Sequence, residues 1–191
     1  GALRELHVEG DRGDLQIVQR IDRTGVVGTG EGPGAHFADR AGIDLILIGD
    51  SLGMVLHGTN TTTPVTVDDI VYHSRCVSPH LKRAFLVADL PFLSYATLDR
   101  ALASSQRVMQ EGGAKMVKLE GGSWLCDTVR LLAQRGIPVC AHLGLIPQSV
   151  HKLGGYKLQG KDHEAAEEIK RDSMALVEAG ADILLYECIP A

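Results

Sequence analysis

From Gly25 onward the chain repeats one pattern: a short apolar run, a polar or glycine-rich tip, then an amphipathic stretch closing near a glycine. The pattern is sharpest at Ile43-Asp-Leu-Ile-Leu-Ile-Gly-Asp-Ser-Leu-Gly-Met54, where an unbroken Leu/Ile run stops at Gly49-Asp50-Ser51. Apolar residues without alternation read as a strand covered on both faces, which is what a parallel sheet wrapped by helices requires. Strands are predicted over 25–29, 45–49, 84–88, 114–119, 138–142 and 183–187, and helices over 35–41, 67–77, 98–111, 123–135 and 163–179. Six such steps without a hairpin signal predict an all-parallel α/β sheet. The short spacing and the acids at strand ends favour a TIM-type (βα)8 barrel over an open doubly wound sheet.

A closed barrel of that kind needs about 200 to 250 residues. With 191 residues this chain presents about six βα units, so the last two are expected to be lacking. Residues 24–191 form the expected barrel domain. Residues 1–23 are polar and weakly periodic, with a short helix over 15–21, and take no assigned role.

Composition narrows the partners. Hydrophobic residues make up 45% of the chain, charged residues 23%, and the formal net charge is -5 with dispersed Lys and Arg. That balance describes a soluble globular domain without the basic stripe that nucleic acid demands, so small molecules are the expected ligands. No apolar run reaches the roughly 20 residues of a membrane span, and Gly1-Ala-Leu-Arg-Glu lacks a signal-peptide pattern, which predicts a cytoplasmic protein. Cys76, Cys126, Cys140 and Cys188 are scattered without a C-x-x-C pair and read as small buried hydrophobes rather than zinc or disulfide partners.

The strand exits carry Glu31, Asp50 with Ser51, Asp89, Lys118 with Glu120, His142 and Glu187. In a barrel these positions converge on one rim. Asp50, Asp89 and Glu120 are hard oxygen donors suited to Mg²⁺, while the ordinary alternative for each acid is a helix N-cap or a loop ion pair. Lys118 and Glu120 share one face of a strand and make either a buried ion pair or an anchor for a ligand carboxylate. His142 is either a satisfied core histidine or a hydrogen-bond donor to a substrate oxygen. Glu187 follows Ile-Leu-Leu-Tyr, and desolvation there would raise its pKa toward that of a general base. Gly28-Thr-Gly-Glu-Gly-Pro-Gly34 lacks the Lys-Ser/Thr ending of a phosphate loop and reads as a tight βα turn. The stretches 52–64 and 144–160 are long for βα connections, as lids and assembly contacts are.

Several ordered segments closely resemble the ketopantoate hydroxymethyltransferase family. They are Gly49-Asp-Ser-Leu-Gly-Met54, Pro64-Val-Thr-Val-Asp-Asp69 with Tyr72-His73, Val87-Ala-Asp-Leu-Pro-Phe92, Val117-Lys-Leu-Glu-Gly121, Ala141-His-Leu-Gly-Leu145, Pro147-Gln-Ser-Val150, Gly154-Gly-Tyr-Lys157 and Glu187-Cys-Ile-Pro190. The resemblance runs from about Ala35 to Ala191. It implies a barrel of the phosphoenolpyruvate/pyruvate superfamily that uses Mg²⁺ to transfer a one-carbon unit from 5,10-methylenetetrahydrofolate to 3-methyl-2-oxobutanoate. By the same resemblance Asp50, Asp89 and Glu120 hold the metal, and Glu187 is the catalytic base. Ser51, Lys118 and His142, with Asp50 and Asp89, hold the oxo acid, and the assembly is a homo-oligomer, commonly a decamer.

The chain departs from the family pattern in three places. Gly28-Thr29-Gly30-Glu31 stands where Thr-Ala-Tyr-Asp is usual, Gly58-Thr59-Asn60 replaces Gly-His-Asp, and the seventh and eighth strands have no counterpart. Two other readings follow from these: a related superfamily enzyme that makes or breaks a C–C bond in another 2-oxo acid, and a non-catalytic fragment or assembly subunit.

Overall fold

The computed structural model describes residues 32–190. The strand predicted over 25–29, the Glu31 tip and the helix over 15–21 lie outside the described residues. Those described fall into two compact units, residues 32–119 and 120–190.

In the first unit, helix α1 (Gly32–Arg40) leads into strand β1 (Leu45–Ile48), the short helix α2 (Leu52–Val55), helix α3 (Val67–Val77), strand β2 (Phe85–Asp89), helix α4 (Leu98–Gln110) and strand β3 (Met116–Glu120), whose last residue opens the second unit. The strands are parallel in the order β1-β2-β3. Each β3 side chain is buried, as a strand covered on both faces must be. Register sets the chemistry here: Asp89 pairs with Lys118 across the β2–β3 ladder, so the two side chains leave the sheet on the same side.

The helices start where the sequence encodes a cap. Thr66 and Asp69 form a capping box at α3, with the Thr66 hydroxyl accepting from the Asp69 N–H and the Asp69 carboxylate accepting from the Thr66 N–H at 2.8 Å. Thr97 caps α4. Asp39, buried at the end of α1, accepts the backbone N–H groups of Lys82, Arg83 and Ala84 at 3.2, 2.8 and 2.6 Å, which fixes the chain entering β2. The N–H of Ala84, then that of Arg83, holds the Asp39 carboxyl below the usual carboxylate range.

The long 52–64 connection begins as α2 and folds back on itself. Gly53 admits Val65 so closely that a Cβ would come 2.7 Å from its Cγ2, and Thr59 Oγ1 donates to the Thr61 carbonyl at 2.7 Å.

In the second unit, a 3-10 turn (Ser123–Leu125) runs into helix α5 (Cys126–Gln134), followed by strand β4 (Val139–Gly144), a 3-10 turn (Pro147–Ser149), helix α6 (Val150–Leu153), helix α7 (His163–Ala179) and strand β5 (Ile183–Glu187). Strands β4 and β5 are parallel, with His142 opposite Leu185 and Gly144 opposite Glu187. Asp162 caps α7, and Gly180 ends it in the left-handed conformation. Leu176 and Leu184 fill the space between α7 and the strands. The Tyr186 hydroxyl donates to Ser173 Oγ at 2.7 Å, and Ser173 Oγ donates to the Ile169 carbonyl, tying β5 to α7.

The cysteine expectation needs correcting. Cys140 is buried, Cys76 and Cys126 are half-buried, and Cys188 is exposed, because it follows the end of β5 with φ +49 and turns away from the packed face. Among the described residues no helix is long and apolar enough to cross a membrane.

Candidate active site

The chemistry-bearing side chains gather at the carboxyl ends of the strands, as expected of a parallel α/β sheet. In the first unit, β1 stops at Ile48 and Asp50 follows two residues later, buried, while β2 ends on Asp89, also buried. Their carboxylates each offer an oxygen within 4.8 Å of the other. The Asp50 N–H donates to Asp89 Oδ2 at 3.3 Å, and Lys118 Nζ lies 2.8 Å from the same oxygen. Lys118 and Asp89 therefore form a buried ion pair. Ser51 begins α2 in helical conformation and makes no side-chain cap bond, so its half-buried hydroxyl is not spent on helix initiation.

In the second unit, Glu120 and His142 are buried and Glu187 stands across from His142. His142 Nδ1 lies 3.4 Å from Glu120 Oε1, and Nε2 lies 3.4 Å from Glu187 Oε2. The imidazole thus faces a carboxylate on each side. The Gln148 N–H, at the start of the 3-10 turn, donates to Glu120 Oε2 at 3.0 Å.

One expectation for Glu187 changes. Its side chain keeps 43% of its exposure, because Leu184 is the one buried residue of β5. The Glu187 carboxylate faces the His142 imidazole and solvent rather than an apolar pocket.

The backbone around Glu187 is held closely. Its carbonyl accepts from the Leu145 N–H at 2.8 Å, and Gly144, φ +86, leaves no room for a Cβ beside that carbonyl. The Cys188 carbonyl accepts from the Gln159 N–H at 2.8 Å. Of the described residues other than glycine, Leu93 and Cys188 have positive φ, at 58° and 49°. Each follows a strand that ends in a site acid, the pattern of strain stored near chemistry.

Sequence reasoning missed the Gln148 contact and the role of Asp39. A backbone N–H has no residue signature, so Pro147-Gln148-Ser149 signals a turn but not its hydrogen-bond partner. Asp39 sits in an ordinary amphipathic helix and carries no motif.

The donor set fits a divalent cation of the hard class. Asp50 and Asp89 are carboxylates close enough to share an ion, and Glu120 stands two residues beyond Lys118 on the same face of β3.

Parallel strands with acids at their exits define an α/β protein of the parallel-sheet class. A solved 2,3-dimethylmalate lyase, described as a member of the PEP mutase/isocitrate lyase superfamily, matches at a TM-score of 0.59 and 18% identity, over 82% of this chain and 53% of its own. A solved phosphonopyruvate hydrolase matches at a TM-score of 0.62 and 14% identity, over 83% of this chain and 56% of its own. At those identities the likeness is one of fold. The family model described as ketopantoate hydroxymethyltransferase matches residues 16–191, and the chain belongs to that family.

The 3-methyl-2-oxobutanoate hydroxymethyltransferase of Halorhodospira halophila is 58% identical over 157 residues, 82% of this chain and 57% of that protein. The 3-methyl-2-oxobutanoate hydroxymethyltransferase 2 of Hahella chejuensis is 49% identical over 176 residues, 92% of this chain and 66% of that protein. The chain therefore spans little more than half the length of the first of these relatives and about two thirds of the second.

Proposed function

We propose that this chain carries the centre of a Mg²⁺-dependent hydroxymethyl transfer from 5,10-methylenetetrahydrofolate to 3-methyl-2-oxobutanoate, giving ketopantoate. The observation that carries the reading is the pair of buried carboxylates, Asp50 and Asp89, with oxygens within 4.8 Å of each other beside the Lys118 ammonium. Family membership and the names of the relatives support hydroxymethyl transfer to 3-methyl-2-oxobutanoate as the reaction.

In this reading Asp50, Asp89 and Glu120 hold the metal, which when bound withdraws electrons from the carbonyl and carboxylate of the oxo acid. Ser51 and Lys118 bind the oxo acid, with Lys118 placing a fixed positive charge where negative charge develops on the substrate. His142 orients the carboxylate of Glu187. Water adds to the folate methylene carbon as the first of its two C–N bonds breaks, with that nitrogen taking the water proton. Glu187 takes the proton from C3, and the resulting enolate forms a C–C bond with the same carbon as the second C–N bond breaks, the proton held by Glu187 passing to the departing nitrogen. One water supplies the hydroxyl of the new hydroxymethyl group, so the balance is oxo acid, methylene folate and water giving ketopantoate and tetrahydrofolate. The partners are these small molecules and further copies of the chain, with no nucleic acid and no membrane.

The test is proton exchange at C3 of 3-methyl-2-oxobutanoate in D₂O with Mg²⁺ and no folate, followed by NMR. Exchange that is lost in Glu187→Gln supports the proposal. No exchange by the unmodified chain overturns it in favour of a non-catalytic fragment, and exchange with a different 2-oxo acid alone favours a related superfamily enzyme.

A further inference from the structure

Between β4 and α7 the chain makes a long excursion that the proposed chemistry does not use. Helix α6 ends at Gly154, whose φ of +68 is followed by +115 at Gly155, and the Gly155 N–H returns to the Val150 carbonyl at 3.0 Å. The chain then runs through Tyr156, Lys157 and Leu158, all exposed. It is seated again at Gln159, whose N–H donates to the Cys188 carbonyl at 2.8 Å. Gly160 packs so closely that a Cβ would come 3.0 Å from Ile169 Cδ1 on α7. Residues 154–160 therefore form a strap fixed at both ends, and its second anchor is the residue that directly follows Glu187.

The charge on this strap and at its two ends is one-sided. From Leu145 to Lys161 the sequence holds Lys152, Lys157 and Lys161 and no Asp or Glu, in a chain whose formal net charge is -5. All three lysines are exposed, and Lys157 Nζ curls back to within 3.2 Å of where a Gly154 Cβ would stand. Tyr156, half exposed, immediately precedes Lys157 in the chain. An exposed aromatic side chain in a segment whose charged residues are all cations suits a planar aromatic ligand bearing several carboxylates at one end.

We propose that this strap is the recognition site for the carboxylate-bearing end of the folate co-substrate: Tyr156 stacks on its aromatic portion, and Lys152, Lys157 and Lys161 receive its glutamyl carboxylates. The inference rests on the function proposed above and adds the residues that bind the donor. Because the anchor lies at Cys188, a donor held by its tail on the strap is kept beside the base that generates the nucleophile, converting a bimolecular encounter into a positioned one.

The experiment compares the unmodified chain with the triple variant Lys152→Gln/Lys157→Gln/Lys161→Gln, using two donors: 5,10-methylenetetrahydrofolate and the corresponding methylene tetrahydropteroate, which lacks the glutamate. Three exposed charge pairs predict a KM for the folate donor about tenfold higher in the variant, with the difference shrinking as salt is added. The pteroate donor should show that higher KM already with the unmodified chain and lose nothing further in the variant. Equal KM values for the folate donor in both proteins overturn the inference, as does an equal loss for both donors. C3 exchange by the unmodified chain, which needs no folate, reports separately on the proposed function, so failure of one is not mistaken for failure of the other.

Discussion

Lys118→Met removes the ammonium 2.8 Å from Asp89 Oδ2 while keeping most of the side-chain volume in a strand whose residues are all buried. At an effective dielectric constant of about 20, unit charges at that distance attract by roughly 6 kcal/mol, but much of this offsets the desolvation of the two ions. What the substitution exposes is the cost of a buried Asp89 carboxylate that has lost the charge of Lys118, about 3–5 kcal/mol. With a urea slope of about 2 kcal/mol per M, the unfolding midpoint should fall by ~1.5–2.5 M, read by far-UV circular dichroism at pH 7 in chelator. Lys118→Met/Asp89→Asn should recover much of that loss, because the charge needing compensation is gone. A single variant that loses less than about 1 kcal/mol, or a double variant as unstable as the sum of its singles, refutes the reasoning.

Mg²⁺ at a hundredfold excess over its dissociation constant should stabilise the unmodified chain by about 2.7 kcal/mol in thermal unfolding, and Asp50→Asn/Asp89→Asn should abolish that gain. Gly144→Ala puts a methyl group against the Glu187 carbonyl at a φ of +86, so the end of β5 must move; kcat should fall at least about tenfold in a steady-state assay while circular dichroism still reports a folded chain. Asp39 has a folded-state pKa below its ordinary 3.8, so its stabilising contribution is complete above that value and disappears as the pH drops through the lowered one. In acid titrations Asp39→Asn should accordingly lose less stability below pH 3.8 than the unmodified chain does. Tyr186→Phe deletes the hydroxyl donated to Ser173 and should cost about 1 kcal/mol, seen as a melting temperature lower by roughly 2–4 °C.

The elements legible in the sequence are those whose ends are written in side chains. Helices α3 and α7 begin and end where predicted, because Thr66 with Asp69 and Asp162 with Gly180 mark the boundaries locally. Strand β5 matches its predicted span, and β3 is shifted by a residue or two, since an unbroken apolar run locates a buried strand without fixing its first hydrogen bond. Helices α2 and α6, four residues each, are too short to display a 3.6-residue period, so the sequence pattern there predicts only loop. The site acids were visible as polar residues ending apolar runs. Their partners were not: the pairing of Asp89 with Lys118 depends on strand register, and the Gln148 N–H on how a turn folds back. The exposure of Glu187 and Cys188 depends on what covers β5, which no local pattern encodes.

Strand β3 delivers Lys118 and Glu120, opposite charges with a single leucine between them, on a ribbon packed above and below. Neither can be re-aimed alone, since rotating or sliding that ribbon displaces both together and drags Met116, Val117 and Leu119 out of their packing. On the function proposed above, attempts to broaden the range of acceptor acids by laboratory evolution should therefore find productive changes in the connecting loops, with β3 tolerating almost no variation.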